Sequence, residues 1–364
     1  MPLDDQGAPL SSARHCFCAA PTITRRGFFT GLAALGAAAA LPGCATSSGS
    51  PGAASGRYRI DTHHHLFSPT YVSELAKVNQ APPIVRNWSV AKTLEDMEAA
   101  GVQTSMLSVT TPHVQFADPA GARRIARESN EWVAKLATEH KGRFGSFAML
   151  PMQDTDSALK EIEYALDTLK ADGICLLTSY GDKWLGHASF APVMDELNRR
   201  KTILYTHPTV ANCCRNLLAD VPPTVVEFGT DTTRTIVDIV FSGTAARCPD
   251  LNFIVSHAGG TLPFLTERLL KMPVLDPKLA PRVPRGVLHE LQRFYYDTAW
   301  SAHPGALASL MKLVSVNQVL FGSDYPYRTG ADHVTGITDY GYSASDLFAI
   351  GRGNAQRLMP QWRT

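Results

Sequence analysis

Tyr58-Arg59-Ile60-Asp61-Thr62-His63-His64-His65-Leu66-Phe67-Ser68-Pro69 is the stretch on which the reading of this chain turns. It has the pattern of a short strand that stops at Pro69. Residues two apart on a strand point to the same side. His63 and His65 therefore project together, with Thr62 and His64 on the other side. A solvated histidine cluster would read the same way locally. Two imidazoles side by side at a strand end are also half of a metal site, so the question passes to what the rest of the chain supplies.

Outward from this strand, short apolar runs alternate with amphipathic stretches. The runs that read as strands are 58–65, 103–109, 143–150, 173–178, 202–207, 251–257, 294–298 and 317–322. Between them lie helical patterns at 90–100, 120–140, 156–170, 190–200, 232–247, 261–270 and 305–314. Asp118-Pro119, Asp154 and Asp156 suit helix starts, and Gly101 and Gly142 suit helix stops. Eight strand–helix units over such a length predict a (β/α)8 barrel of the TIM type. An open doubly wound sheet is the rival, but no glycine-rich phosphate turn follows the first strand.

Catalytic residues of such barrels sit at the C-terminal ends of the strands. The first predicted strand ends in His63 and His65, the fifth in His207, and the sixth in His257. The eighth runs into Asp324. Metal-competent side chains thus gather on one rim, which twelve randomly placed histidines would not do.

Composition narrows the remaining possibilities. Lys+Arg and Asp+Glu number 34 and 33, with no basic stripe, which excludes a nucleic-acid partner. The hydrophobic share of 45% is ample for a core. Residues 1–44 stand apart as a signal segment: Arg25-Arg26 precedes a charge-free run from Gly27 to Gly43, too weakly apolar for a permanent span. Leu41-Pro42-Gly43-Cys44 resembles the lipobox of bacterial lipoproteins, in which the cysteine carries the lipid. Residues 45–56 form a flexible tether, and 57–364 the catalytic barrel. The expected location is extracytoplasmic, with the membrane touched only through the lipid anchor. Cys175 reads as core; the adjacent Cys213 and Cys214 fit neither an ordinary disulfide nor a zinc motif.

His-x-His on strand one, His207, His257 and Asp324 together resemble the amidohydrolase superfamily. Ser256-His257-Ala258-Gly259-Gly260 with Arg268 beyond it, Phe321-Gly322-Ser323-Asp324-Tyr325-Pro326 and Gly353-Asn354-Ala355 resemble its decarboxylase branch. That branch includes aminocarboxymuconate-semialdehyde decarboxylase and the non-oxidative aromatic acid decarboxylases. Leu176 to Gly181, Phe228 to Arg234 and Cys213-Cys214 look closest to the 6-methylsalicylate decarboxylase-like members. The likeness spans Arg59 to Leu358.

The resemblance implies one divalent metal held by His63, His65, His207 and Asp324. Strand four lacks the bridging lysine of the binuclear members. Three imidazoles and a carboxylate favour zinc; manganese is the alternative, although the related manganese enzymes tend to carry Glu where His63 stands. His257 is the implied acid/base. Arg268 matches an arginine that relatives insert into a neighbouring subunit's pocket, which implies a homodimer. Arg86 is a second candidate for binding a substrate carboxylate, and Trp88, Trp184, Phe228 and Trp300 are candidate walls for an aromatic ring. Arg234 and Asp231 are weaker candidates, and Asp61 is a candidate for orienting a ligand from behind. The implied activity is decarboxylation of a hydroxylated aromatic or muconate-like acid. A lactonase or amidase of the same superfamily is the alternative, because it needs the same five residues.

Overall fold

The computed structural model describes residues 58–215 and 217–363. Arg25-Arg26, Cys44 and the tether lie outside the described residues.

Eight parallel strands run in chain order around one sheet: β1 (Arg59–His65), β2 (Val102–Ser108), β3 (Phe144–Met149), β4 (Gly173–Leu177), β5 (Ile203–His207), β6 (Asn252–Val255), β7 (Tyr295–Asp297) and β8 (Val319–Leu320). Backbone bonds join β8 and the turn after it to β1. Thr62 N–H donates to Phe321 O, Asp324 N–H to His63 O, and His65 N–H to Tyr325 O, at 2.9, 2.8 and 2.8 Å. The seam that closes the barrel is therefore the seam that brings Asp324 against the two histidines of β1.

Side chains from successive strands fill the interior. Ile60, Met106, Phe147, Cys175, Tyr205, Ile254 and Leu320 form one buried cluster, plugged by Ala355 and Met359. Each large apolar side chain buried in this way contributes about 1.5–3 kcal/mol. Cys175 is core, as its apolar surroundings predicted. A second, larger cluster lies between the strands and the surrounding helices. Ile60 and the His63/His65 pair all face inward, although strict alternation from residue 60 would turn residues 63 and 65 outward. The pairing of β1 with β2 shifts register between Asp61 and His64, and this irregularity re-aims the strand end.

Most helix boundaries follow local chemistry. Asp118 and Asp154 cap the helices Pro119–Glu139 and Thr155–Glu163 through bonds of 2.7 Å from Gly121 N–H and Ser157 N–H. Pro69 does end the strand, but it also opens a helix, Pro69–Lys77, with Ser68 as its cap. Asn354 explains the Gly-Asn-Ala motif near the end: its amide donates to Val316 O and Val319 O, both at 2.7 Å, and pins the approach to β8.

A candidate mononuclear metal centre

The five side chains expected at the rim lie together. His63, His65, His207 and Asp324 are all buried, and one ligand atom from each lies within 4.8 Å of all the others. Each imidazole is turned by a bond at its far nitrogen. His63 Nδ1 donates to Asp297 Oδ2 at 2.9 Å, His65 Nδ1 to Ser108 O at 3.2 Å, and His207 Nδ1 to Pro208 O at 2.9 Å. A carbonyl or carboxylate oxygen can only accept, so Nδ1 carries a proton in all three rings. Every Nε2 is left to face inward, where it can give its lone pair to a metal once any proton on it has left, the arrangement that metal-binding histidines adopt.

The spacing suits a cation at the centre. His63 Nε2 lies 3.2 Å from His65 Nε2, and Asp324 Oδ1 lies 2.8 Å from His65 Nε2 and 3.3 Å from His63 Nε2. A tetrahedral site with bonds of about 2.0–2.1 Å has edges of roughly 3.3–3.4 Å. Asp324 Oδ1 is nonetheless a buried oxygen with no hydrogen bond of acceptable angle. Buried oxygens are rarely left so, and a metal ion satisfies this one. The donor set of three nitrogens and one oxygen fits a single divalent metal.

Electrostatics agree. Burial, reinforced by its histidine neighbours, holds His207 well below the usual imidazole range, and burial also lowers His65. For His63 burial acts the same way, but the Asp297 and Asp324 carboxylates outweigh it and raise the ring to about 10. Burial disfavours the Asp324 anion; His63 and the surrounding imidazole bonds overcome this and hold its carboxyl well below the ordinary range. The pocket is thus built around one positive charge. A cation entering it displaces the His63 proton, so loading is linked to proton release.

His257 stacks on His63 with ring centres 5.0 Å apart, and its Nε2 lies 3.4 Å from Asp324 Oδ2. Its backbone is exceptional: His257, Ala258, Gly259 and Gly260 all have positive φ, from 54° to 77°. Such residues persist only where the surroundings over-determine them. Here Asp297 Oδ1 accepts the His257 N–H at 2.9 Å. A Cβ on Gly260 would lie 2.0 Å from Gly229 O, which makes glycine obligatory there.

Asp297 was not anticipated from the sequence. It is fully buried on β7 and joins the His63 ring to the His257 backbone. Its only local signal was a carboxylate inside an apolar run, Phe294-Tyr295-Tyr296-Asp297. Asp297→Asn should weaken metal binding about 10–100-fold and also lower the melting temperature, because both carboxylate oxygens accept hydrogen bonds and the NH2 of Asn would have to face a donor. Competition with a chelator checks the first and thermal unfolding the second. Asp61 positions as expected, but it acts on Asp324 rather than on a ligand ring. It accepts from Ser323 N–H at 3.1 Å and Ser323 Oγ at 2.5 Å, and so ties β1 to the turn that carries Asp324.

Of the other expected residues, Phe228 touches the cluster, and the rest have partners of their own or face solvent. Arg86 donates to Ala81 O at 2.6 Å, and Trp88 packs edge-on against Phe67 and Trp132; both have local roles in that loop. Asp231 is consumed by three donors, Thr178 Oγ1, Ser179 Oγ and Trp184 Nε1, which fixes the small hairpin formed by Ser179–Tyr180 and Lys183–Trp184. Arg234 pairs with Glu227 at 3.4 Å. Phe228 meets His207 edge to face at 6.1 Å. Arg268 is exposed on the helix Leu262–Leu275. A cavity of about 350 Å³ bordered by Met152, Tyr180, Lys183 and Phe190 opens beside the hairpin and is lined by none of the cluster residues.

Residues 60–360 match the family model described as Amidohydrolase. The chain belongs to this amidohydrolase family. It is 36% identical over 327 residues to a decarboxylase from Penicillium terrestre, covering 84% of this chain and 96% of that one. It is also 36% identical over 277 residues to a 6-methylsalicylic acid decarboxylase from Aspergillus aculeatus, covering 74% and 84%. Among solved structures, a dihydroxybenzoic acid decarboxylase from a Polaromonas strain, with bound manganese and 2-nitroresorcinol, superposes with a TM-score of 0.75. That match is 23% identical and covers 85% of this chain and 98% of the other.

Proposed function

We propose that this chain is a metal-dependent, non-oxidative decarboxylase of hydroxylated aromatic acids, with a 6-methylsalicylate-type substrate as the leading case. The carrying observation is the convergence of His63, His65, His207 and Asp324 beside His257 in a chain 36% identical to decarboxylases along most of its length. A bound divalent ion supplies Lewis acidity to a substrate oxygen. His257 delivers a proton to the ring carbon that bears the carboxylate, ortho to the hydroxyl. The carbon–carbon bond then breaks, carbon dioxide leaves, the ring regains aromaticity, and solvent returns the proton to His257. Asp297 and the left-handed turn hold His257 in place throughout.

Zinc is the metal in this reading, because nitrogen donors predominate; the manganese of the Polaromonas enzyme is the competitor. The test is metal analysis of the purified chain, followed by carbon dioxide release from salicylates beside a panel of lactones and amides. Hydrolysis of the panel without carbon dioxide release would overturn the assignment.

The homodimer in this reading rests on Arg268. It shares a helix face with the exposed Phe264 and Leu275, at i, i+4 and i+11, and makes no ion pair among the described residues. An exposed apolar face surrounding an unused cation suits burial against a second copy.

Export and lipidation through Arg25-Arg26 and Cys44 complete the proposal. Arg25→Lys with Arg26→Lys should retain the precursor in the cytoplasm, and Cys44→Ala should convert a membrane-bound form into a soluble exported one. Fractionation reads both, and membrane association unchanged in the Cys44 variant would count against the anchor.

A further inference from the structure

Trp300 lies three residues beyond Asp297 and Arg328 four beyond Asp324, so both follow site residues at the C-terminal ends of neighbouring strands. That end of the barrel is the face that carries the chemistry. The indole is 54% exposed, a large apolar surface to leave in water. It is held there at some cost, because Trp300 has a φ of 52°, a conformation that bulky residues avoid. A buried side chain enforces it: His333 Nε2 accepts the Trp300 N–H at 2.9 Å, and its Nδ1 is anchored on Thr329 O at 3.2 Å. The Arg328 guanidinium lies over the indole, 5.0 Å from its centre. Its nearest acid is Asp332, 3.7 Å from Nε, and neither terminal nitrogen has a hydrogen-bond partner among the described residues.

An aromatic plate held in a strained conformation beside a guanidinium with an open fork is complementary to one ligand class. We infer that Trp300 and Arg328 form an outer lip that captures aromatic carboxylates, the indole taking the ring and the guanidinium the carboxylate. This inference rests on the aromatic-acid reading above and adds a recognition element from the same chain. Arg328 acts before the chemistry, and Trp300 tolerates any flat ring. The lip selects for an anionic aromatic substrate over a neutral one.

The test reads binding apart from turnover: the binding titrations use chains that carry His257→Asn and are otherwise wild type or altered at Trp300 or Arg328, so that salicylate is not consumed. Salicylate, and phenol as its neutral counterpart, are titrated into the metal-loaded full-length chain by calorimetry, with tryptophan fluorescence recorded in parallel. Salicylate should quench the wild type, and W300F should lose most of that quench. R328Q should weaken salicylate at least about 10-fold and phenol far less, with R328K intermediate because it keeps charge but not the fork. In steady-state assays the rise in KM should exceed the fall in kcat for both positions. Salicylate affinity unchanged in W300F and R328Q overturns the lip, as does an absence of saturable salicylate binding to the wild type. A shift of oligomeric state in W300F with unchanged salicylate binding also overturns it, since the indole would then serve an interface. Binding that depends on both residues, when the chain with His257 intact releases no carbon dioxide, would sustain the lip and sink the decarboxylase reading.

Discussion

His63→Ala, His65→Ala, His207→Ala and Asp324→Ala each yield a folded chain that has lost its divalent metal and its turnover. Outer-shell partners of metal ligands contribute about 10–100-fold in affinity, and removing a ligand should exceed that range. The four differ in their side effects. Losing His207 frees only Pro208 O and Thr110 Oγ1 at the rim, so stability should change least there. Losing Asp324 takes away the carboxylate that faces three imidazoles, and the His63 charge then has Asp297 as its remaining close anionic partner. Losing His63 instead leaves Asp297 buried without its partner ring, and breaking one side of a buried charged pair costs about 3–5 kcal/mol. Elemental analysis after dialysis and melting temperatures of the apo proteins separate metal loss from unfolding. Any of the four variants that keeps full metal and full rate removes that residue from the centre.

The same residues show why the site was legible in the sequence and where it was not. His63 and His65 lie at the end of β1, His207 closes β5 and Asp324 sits in the turn just after β8; a barrel turns strand ends into one surface, so counting strands located them. Asp297 also closes a strand, but a lone aspartate there has no partner spacing to mark it. Its role depends on two long-range bonds, to His63 and His257, that only the folded barrel creates. The glycines after His257 were visible as a motif, yet their reasons are long-range: the Tyr296 ring lies against Gly259, and Gly229 O, on a helix that begins thirty residues before His257, lies against Gly260. The helix Pro69–Lys77 was hidden behind Pro69, which stops a strand and starts a helix with equal ease; the deciding residue was Ser68, as its cap. Arg86 was singled out by residue type alone. Charge can be read in one dimension, but the Ala81 carbonyl that occupies this guanidinium comes from the local turn.

His257→Asn should separate chemistry from metal binding. Its Nε2 lies 3.4 Å from Asp324 Oδ2, outside the set of four convergent ligand atoms, and its backbone N–H, which Asp297 holds, survives the substitution. The variant should therefore retain the metal and lose proton transfer, a contribution of about 10²–10⁴-fold in rate. Arg268→Ala should act on substrate binding instead, because the side chain is exposed and is not one of the four ligands. If Arg268 reaches into a second copy, chains carrying His257→Asn mixed with chains carrying Arg268→Ala regenerate one intact site per heterodimer. That site combines the His257 of one chain with the Arg268 of the other. Two affinity tags isolate the heterodimer, and at sub-saturating substrate its specific activity should recover toward half that of the wild type, well above both parent homodimers. Titration with salicylate should likewise restore one tight site per heterodimer. Recovery supports the acid/base role, the crossing arginine and the dimer together. Proven heterodimers that stay as inactive as their parents would mean that Arg268 serves its own subunit or lies outside the site.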